Sequence, residues 1–263
     1  MALRFVDSHC HLDHVVQAHP ARIGWMKALG GAAVGWSFAH EVPDVPALER
    51  YWRSQVRAVE EAARAGLVCA FLVGVHPRNI PPDLRPEQVE HLLGPWLDHP
   101  LCRGVGEIGL ETGEPREVEV LEAQLGLADE LARQGQVFGV HTPRSDKARV
   151  TREVLAVLAR HPRARDRAVV DHATPETAGW VLEAGCRLGM TVSPAKCSPD
   201  DVRAVLRDHP GAADRLMLNT DSGTRFHEDL WRFVRAGGAP AGVLERITRT
   251  NAAEFFSLPV PMG

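Results

Sequence analysis

Residues 5–13 read FVDSHCHLD. A short apolar run ends there with two histidines, His9 and His11, and with an acid on either side, Asp7 and Asp13. In a β-strand, residues i and i+2 point to the same face, so both imidazoles can aim at one point. A metal ion would suit that point, but two histidines alone do not make a site. Where further ligands come from decides the fold.

Seven more short apolar runs follow. They are AAVGWSF (32–38), CAFLVGVH (69–76), CRGVGEIGL (102–110), QVFGVHT (136–142), RAVVDHA (167–173), GMTVSP (189–194) and RLMLNTDS (215–222). Each is rich in Val, Ile, Leu or Phe and lacks clean polar alternation, as strands of a parallel sheet buried on both faces do. Helical signals fill the gaps. Val118, Leu121, Leu125, Ala128 and Leu131 share one helical face, which predicts a helix across 118–131. Ser198 and Thr174, each followed by proline, read as N-caps, and Ser145 as the cap of a helix through 146–161. The proline-bearing segments 40–47 and 77–86 read as long loops. Strands alternating with helices in this way favour an α/β fold, a (β/α)8 TIM barrel, as one domain over residues 1–263.

The composition limits the function classes. The formal charge is 30 − 34 = −4, so no overall basic field gathers nucleic acid. The 5 cysteines form no CxxC pair and read as reduced, buried thiols. Nothing at the N-terminus reads as a signal peptide, and no apolar run approaches the roughly 20 residues needed to cross a bilayer. The expectation is a soluble cytoplasmic protein with no membrane partner; its oligomeric state is left open.

In a (β/α)8 barrel, functional groups gather at the C-terminal ends of the strands. His9 and His11 end the first predicted strand, His76 the third and His141 the fifth. His172 ends the sixth and Asp221 the eighth, while Glu107 lies near the end of the fourth. A single histidine at a strand end is usually a hydrogen-bonded packing residue. Recurrence of the same position in strand after strand points instead to ligation. Imidazoles with a few carboxylates suit Zn²⁺, Mn²⁺ or Fe²⁺, whereas Mg²⁺ prefers oxygen. The donor set exceeds the needs of one tetrahedral ion and suits two, about 3.5–4 Å apart.

The ordered set DSHCHLD, GVHP, GEIGLE, HTPR, DHAT and NTDSG, closed by NAAEFFSL, resembles the TatD family of metal-dependent hydrolases in the amidohydrolase superfamily. The resemblance runs from about Phe5 to Leu258. It implies a binuclear centre of two divalent metals (Zn, Mn, Fe or Mg). His9, His11 and Asp221 would hold one metal, His141 and His172 the other, and Glu107 would bridge them. A hydroxide shared by the metals would be the nucleophile, with Asp221 orienting it and accepting its proton. Two features depart from the family's DNases. Asn219 stands where many members carry glutamate, and His172-Ala173-Thr174-Pro175 replaces their HCFSG. The chain is thus more similar to an uncharacterised branch than to the deoxyribonucleases.

The resulting expectation is a hydrolase of phosphate esters, either nucleotide ends or small phosphoesters, with little digestion of long DNA. A carbonyl hydrolase acting on amides, esters or lactones is the alternative, and a non-catalytic metal- or partner-binding relic a second. His76, Arg78 and Arg144 are the candidate substrate contacts. Asp7 reads as a support for its neighbours and Lys196 as a solvated loop residue. Trp36 and Trp52 read as covers of the mouth or as core.

Overall fold

The computed structural model describes residues 3–259; residues 1–2 and 260–263, the ends of the span expected for the domain, lie outside the described residues. Eight strands form one sheet in sequence order. They are β1 (Phe5–Cys10), β2 (Gly31–Gly35), β3 (Val68–Val73), β4 (Cys102–Gly109), β5 (Val137–His141), β6 (Ala168–Val170), β7 (Arg187–Thr191) and β8 (Leu216–Asn219). Every hydrogen-bonded pair from β1·β2 to β7·β8 is parallel. The end of β8 meets β1: Asp221 N–H donates to His9 O at 3.0 Å, and His11 N–H to Ser222 O at 2.7 Å. This is a (β/α)8 barrel, as the alternation of runs predicts. No helix among the described residues is long and apolar enough to cross a membrane.

Side-chain alternation along each strand divides the core in two. Phe5, Ala33, Phe71, Phe138 and Leu218 pack outward against helices such as Val45–Arg64 and Val89–Leu97. Val6, Val34, Leu72, Val169 and Met217 form a second, inner cluster with Trp36. The C-terminal segment supplies Ala252, Ala253, Phe256 and Leu258 to that inner cluster. Both faces are apolar, which is why the strands lack polar alternation in sequence.

Trp36 fills the barrel because Gly139 has no side chain. A Cβ at Gly139 would lie 2.7 Å from two atoms of the Trp36 ring. Gly139→Ala is therefore expected to displace Trp36 and to destabilise the fold by about 1–3 kcal/mol, the usual cost of overpacking. Urea unfolding of the variant checks this, and parent-like stability would contradict the packing.

Local chemistry agrees with most of the expected helix starts. Ser198 Oγ accepts from Asp201 N–H at 3.2 Å and caps Pro199–Asp208, and Thr174 precedes Pro175–Glu183. Four details differ from expectation. The helix expected across 118–131 is two, Pro115–Leu125 and Ala128–Gln134, separated at Gly126, a weak helix former. Ser145 is not the cap of Lys147–Arg160: Asp146 holds that position at φ 49. The segment 40–47 is a loop only to Asp44, whose Oδ1 accepts from Ala47 N–H at 2.7 Å and starts Val45–Arg64. Likewise 77–86 opens on a 3-10 turn, Pro77–Asn79.

Candidate metal centre

All six residues expected as metal ligands converge at the C-terminal end of the barrel. Glu107, on β4, sits at their centre with its two oxygens facing different ways. Oε2 lies 3.3 Å from His9 Nε2 and 3.9 Å from His11 Nε2. Oε1 lies 2.7 Å from His141 Nδ1, 3.3 Å from His172 Nε2 and 3.6 Å from His76 Nε2. Asp221 Oδ1 lies 3.1 Å from His11 Nε2 and 3.7 Å from His9 Nε2. His11 lies one residue past the end of β1, ahead of helix Leu12–Ala18, yet its ring still faces the His9 ring at 5.2 Å between centroids.

The donor chemistry fits divalent cations. His9 Nδ1 and Asp171 Oδ2 are 2.5 Å apart, whereas the buried His9 Nε2 has no hydrogen-bond partner. A carboxylate behind one ring nitrogen fixes the tautomer and leaves the other as a lone-pair donor, an arrangement frequent around metal ligands. Potential ligand atoms lie within 4.8 Å of one another in the sets His9/His11/Asp221, His76/Glu107/His141 and His9/Asp171/His172. The second set includes His76, one of the strand-end candidates, and the last adds Asp171.

Burial and charge act against each other here. Burial pushes the Glu107 carboxyl up, but the charge of His9 and the hydrogen bonds of His141 and His172 hold it well below the carboxylate range. Asp171 is held low in the same way, by His172 and His9 against burial. Burial opposes charge on His9, yet Glu107 and Asp171 raise its pKa to about 10. A cation beside Nε2 would take the place of that proton, so metal uptake should release protons. Burial lowers His76 to about 4, and burial with Lys196 lowers His172 to about 3, leaving both imidazoles neutral and able to ligate.

The remaining expected residues fall into distinct places. His76 Nδ1 accepts from Arg78 N–H at 3.1 Å while its Nε2 faces Glu107, so it both ties the loop and reaches the centre. The Arg78 guanidinium pairs with Glu111 at 3.0 Å. Arg144 is exposed and lines the cavity above the centre. Asp7 accepts from Thr220 N–H and Oγ1–H, supporting the residue before Asp221. Trp52 is core, donating from Nε1 to Gly74 O, whereas Trp36 stacks beneath His9 at 4.0 Å between centroids.

Lys196 corrects the sequence reading: it is not a solvated lysine. Its side chain is only 10% exposed, and Nζ donates to Asp221 Oδ2 at 2.6 Å. β7 lies between β6 and β8, so a residue just past its end is enclosed by their rim residues. Asn219, which stands where many members carry glutamate, is buried, with Nδ2 donating to Asp171 Oδ1 at 2.8 Å, and thus acts behind His9. Three other residues were missed: Asp171, Lys147 and Glu111. Lys147 Nζ donates to Thr142 O and His172 O, and Glu111 accepts from His141 Nε2 at 2.9 Å. Asp171 and Glu111 had a signal, since each is an acid inside a motif already picked out, DHAT and GEIGLE.

The centre opens into a cavity of about 250 Å³. Its lining includes Arg78, Arg144 and Arg225, while its acids, Glu107 and Asp221, belong to the centre itself, as does Lys196. A chain of net charge −4 thus concentrates cations where a substrate would enter.

A (β/α)8 barrel with a buried histidine–carboxylate centre at this rim is the architecture of a metal-dependent hydrolase. The model of the TatD related DNase family matches residues 6–225, and the chain belongs to that family. A Methanocaldococcus jannaschii protein named as an uncharacterized metal-dependent hydrolase is 25% identical over 224 residues, 83% of this chain and 84% of that protein. The crystal structure of a TatD-like protein from Archaeoglobus fulgidus superposes with a TM-score of 0.78 at 28% identity, covering 96% of this chain and all of that one (100%). A 2,6-dihydroxybenzoate decarboxylase from Rhizobium shares the fold alone, with a TM-score of 0.67 at 14% identity over 98% of this chain and 99% of that one.

Proposed function

We propose that this TatD-family hydrolase is a single-domain cytoplasmic enzyme that cleaves compact phosphate esters, small phosphoesters or nucleotide ends, with two divalent metals. The observation that carries the reading is the division of Glu107, one oxygen facing His9 and His11, the other His141 and His172. On this reading His9, His11 and Asp221 hold one cation, His141 and His172 the other, and Glu107 spans both. Bound there, divalent cations would supply Lewis acidity, lowering the pKa of water towards neutrality. Five buried, unpaired thiols suit a reducing compartment.

The chain's own groups account for the rest of the reaction. Asp171 orients His9, and Glu111 orients His141 through the opposite ring nitrogen. Asp221, placed beside His11, accepts the proton of the attacking water. Arg144 and Arg225 offer unshared charge to an anionic substrate, while Arg78 is partly neutralised by Glu111. The cavity volume favours a small ester or one chain end over an extended strand. Binding a long strand would need many separate phosphate contacts, each of which adds to the salt dependence.

The test is a side-by-side panel with Mn²⁺- or Zn²⁺-loaded enzyme: aryl phosphomonoesters and phosphodiesters, aryl esters and lactones, and single-stranded DNA across a salt series. Turnover of the small phosphoesters with little loss of polymer is expected. Turnover confined to esters or lactones would replace this reading with a carbonyl hydrolase, and salt-sensitive digestion of DNA would replace it with a nuclease. Prolonged dialysis against a strong chelator is expected to abolish turnover and to lower the melting temperature. Saturating metal restores about 2.7 kcal/mol when free metal is 100 times its Kd. Full activity in metal-free protein would exclude a metal-dependent reaction.

A further inference from the structure

β7 contributes no histidine or carboxylate to the centre, although it lies between the strands that carry His172 and Asp221. The loop that follows it contributes Lys196. The ammonium lies 2.6 Å from Asp221 Oδ2, and 2.9 Å and 3.3 Å from the two ring nitrogens of His172. We propose that Lys196 is a positioning residue that clamps Asp221 and His172 together across β7 and fixes the orientation in which they meet the metals. The inference rests on the proposed reading of His172 and Asp221 as metal ligands, and on the proposed reaction for its kinetic readout.

Backbone geometry shows why a clamp is needed. His172 and Asp221 adopt left-handed conformations, at φ 60 and φ 53. Such residues persist only where their surroundings over-determine them, although His and Asp tolerate the region better than most. The backbone of each is already held: His172 O accepts from Lys147 Nζ at 2.9 Å, and Asp221 N–H donates to His9 O. Thr191 Oγ1, on β7, also steadies the His172 ring from 2.8 Å, but no backbone contact ties the two side chains to each other. Lys196 touches both side chains and couples their orientations.

The Asp221 carboxylate shows the consequence. Oδ1 faces His11 and His9, while Oδ2 faces the ammonium. Without Lys196 the group can rotate and present either oxygen, or both, to a cation. With Lys196 in place, one oxygen is committed to the centre. Rates fall sharply when a reacting group is misplaced by even about 1 Å.

Cobalt-loaded holoenzyme tests this, because its visible absorption reports ligand arrangement without turnover. Lys196→Met and Lys196→Arg are compared with the parent for spectrum, kcat, KM and melting temperature. Lys196→Met is expected to alter the spectrum, lower kcat about 10²-fold and leave KM within about threefold, while Lys196→Arg recovers about tenfold of kcat. If Lys196→Met does not fold, Lys196→Gln carries the same readouts. A parent-like spectrum overturns the proposal, as does kcat within about threefold of the parent. A loss carried by KM also overturns it, since Lys196 would then be a substrate contact. A parent with no turnover on any substrate sinks the hydrolase reading instead, and the clamp then stands or falls on the spectrum.

Discussion

Glu107→Gln is expected to cost the protein its metals and with them its activity, on the order of 10³-fold or more in kcat/KM. The amide keeps the shape of the side chain and removes its charge. That charge is what five imidazoles face: nitrogens of His9, His11, His76, His141 and His172 lie between 2.7 and 3.9 Å from the Glu107 oxygens. An amide offers one neutral oxygen and directs an N–H group at the rest. It cannot span two cations as a carboxylate does. Leaving buried polar groups without complementary partners costs about 1–3 kcal/mol each, so the metal-loaded melting temperature should fall as well. Metal analysis after gel filtration, alongside kinetics, decides the matter. Two retained equivalents with near-parent turnover would show that Glu107 is not shared between metals.

How much of this was legible beforehand follows from the kind of signal each residue sends. The strands are short apolar runs set by burial on both faces, and burial is written locally, so all eight were found in sequence. His9, His11, His141, His172 and Asp221 stand at or just past strand ends, where the barrel itself makes position informative. Lys196 lies farther out, in the loop after β7, where its neighbours Pro194 and Ala195 read as ordinary exposed residues. Its burial comes from β6 and β8 closing over it, a contact no local pattern carries. Asp171 was hidden by its neighbour: in DHAT the histidine takes the eye, while the acid works from behind another strand's histidine. Asn219 stood out in sequence only as a departure from a family pattern; that its amide supports Asp171 depends on a contact between β8 and the end of β6 that no local pattern carries. Ser145 was displaced as a cap because the turn before Lys147–Arg160 is shaped by the inward reach of Lys147 to Thr142 and His172.

Asp221→Asn is expected to leave the protein folded and to lower kcat by about 10³-fold, within the range that loss of a positioned acid–base group produces. Folding should survive because asparagine is among the residues that tolerate the left-handed backbone found here, at φ 53. The backbone hydrogen bond from residue 221 to His9 O does not depend on the side chain. Function should not survive. Burial pushes the Asp221 carboxyl up, but the Lys196 ammonium and the hydrogen bond with His11 hold it well below the usual range. It is therefore ionised at neutral pH, with one oxygen beside His11 and the other on Lys196. An amide in its place must choose. If its oxygen stays beside His11, its N–H2 meets the Lys196 ammonium; if it flips, the N–H2 meets the metal side and no acceptor remains for the proton of water. The linkage has a definite sign. A carboxylate with a depressed folded-state pKa adds stability above its unfolded pKa and loses it as pH falls through the folded value. The variant should therefore lose part of the parent's stability at neutral pH and narrow the difference in acid. Kinetics at full metal occupancy, with melting curves at neutral and acid pH, measure both effects. Undiminished turnover with both metals bound would remove Asp221 from the reaction and leave it only a ligand.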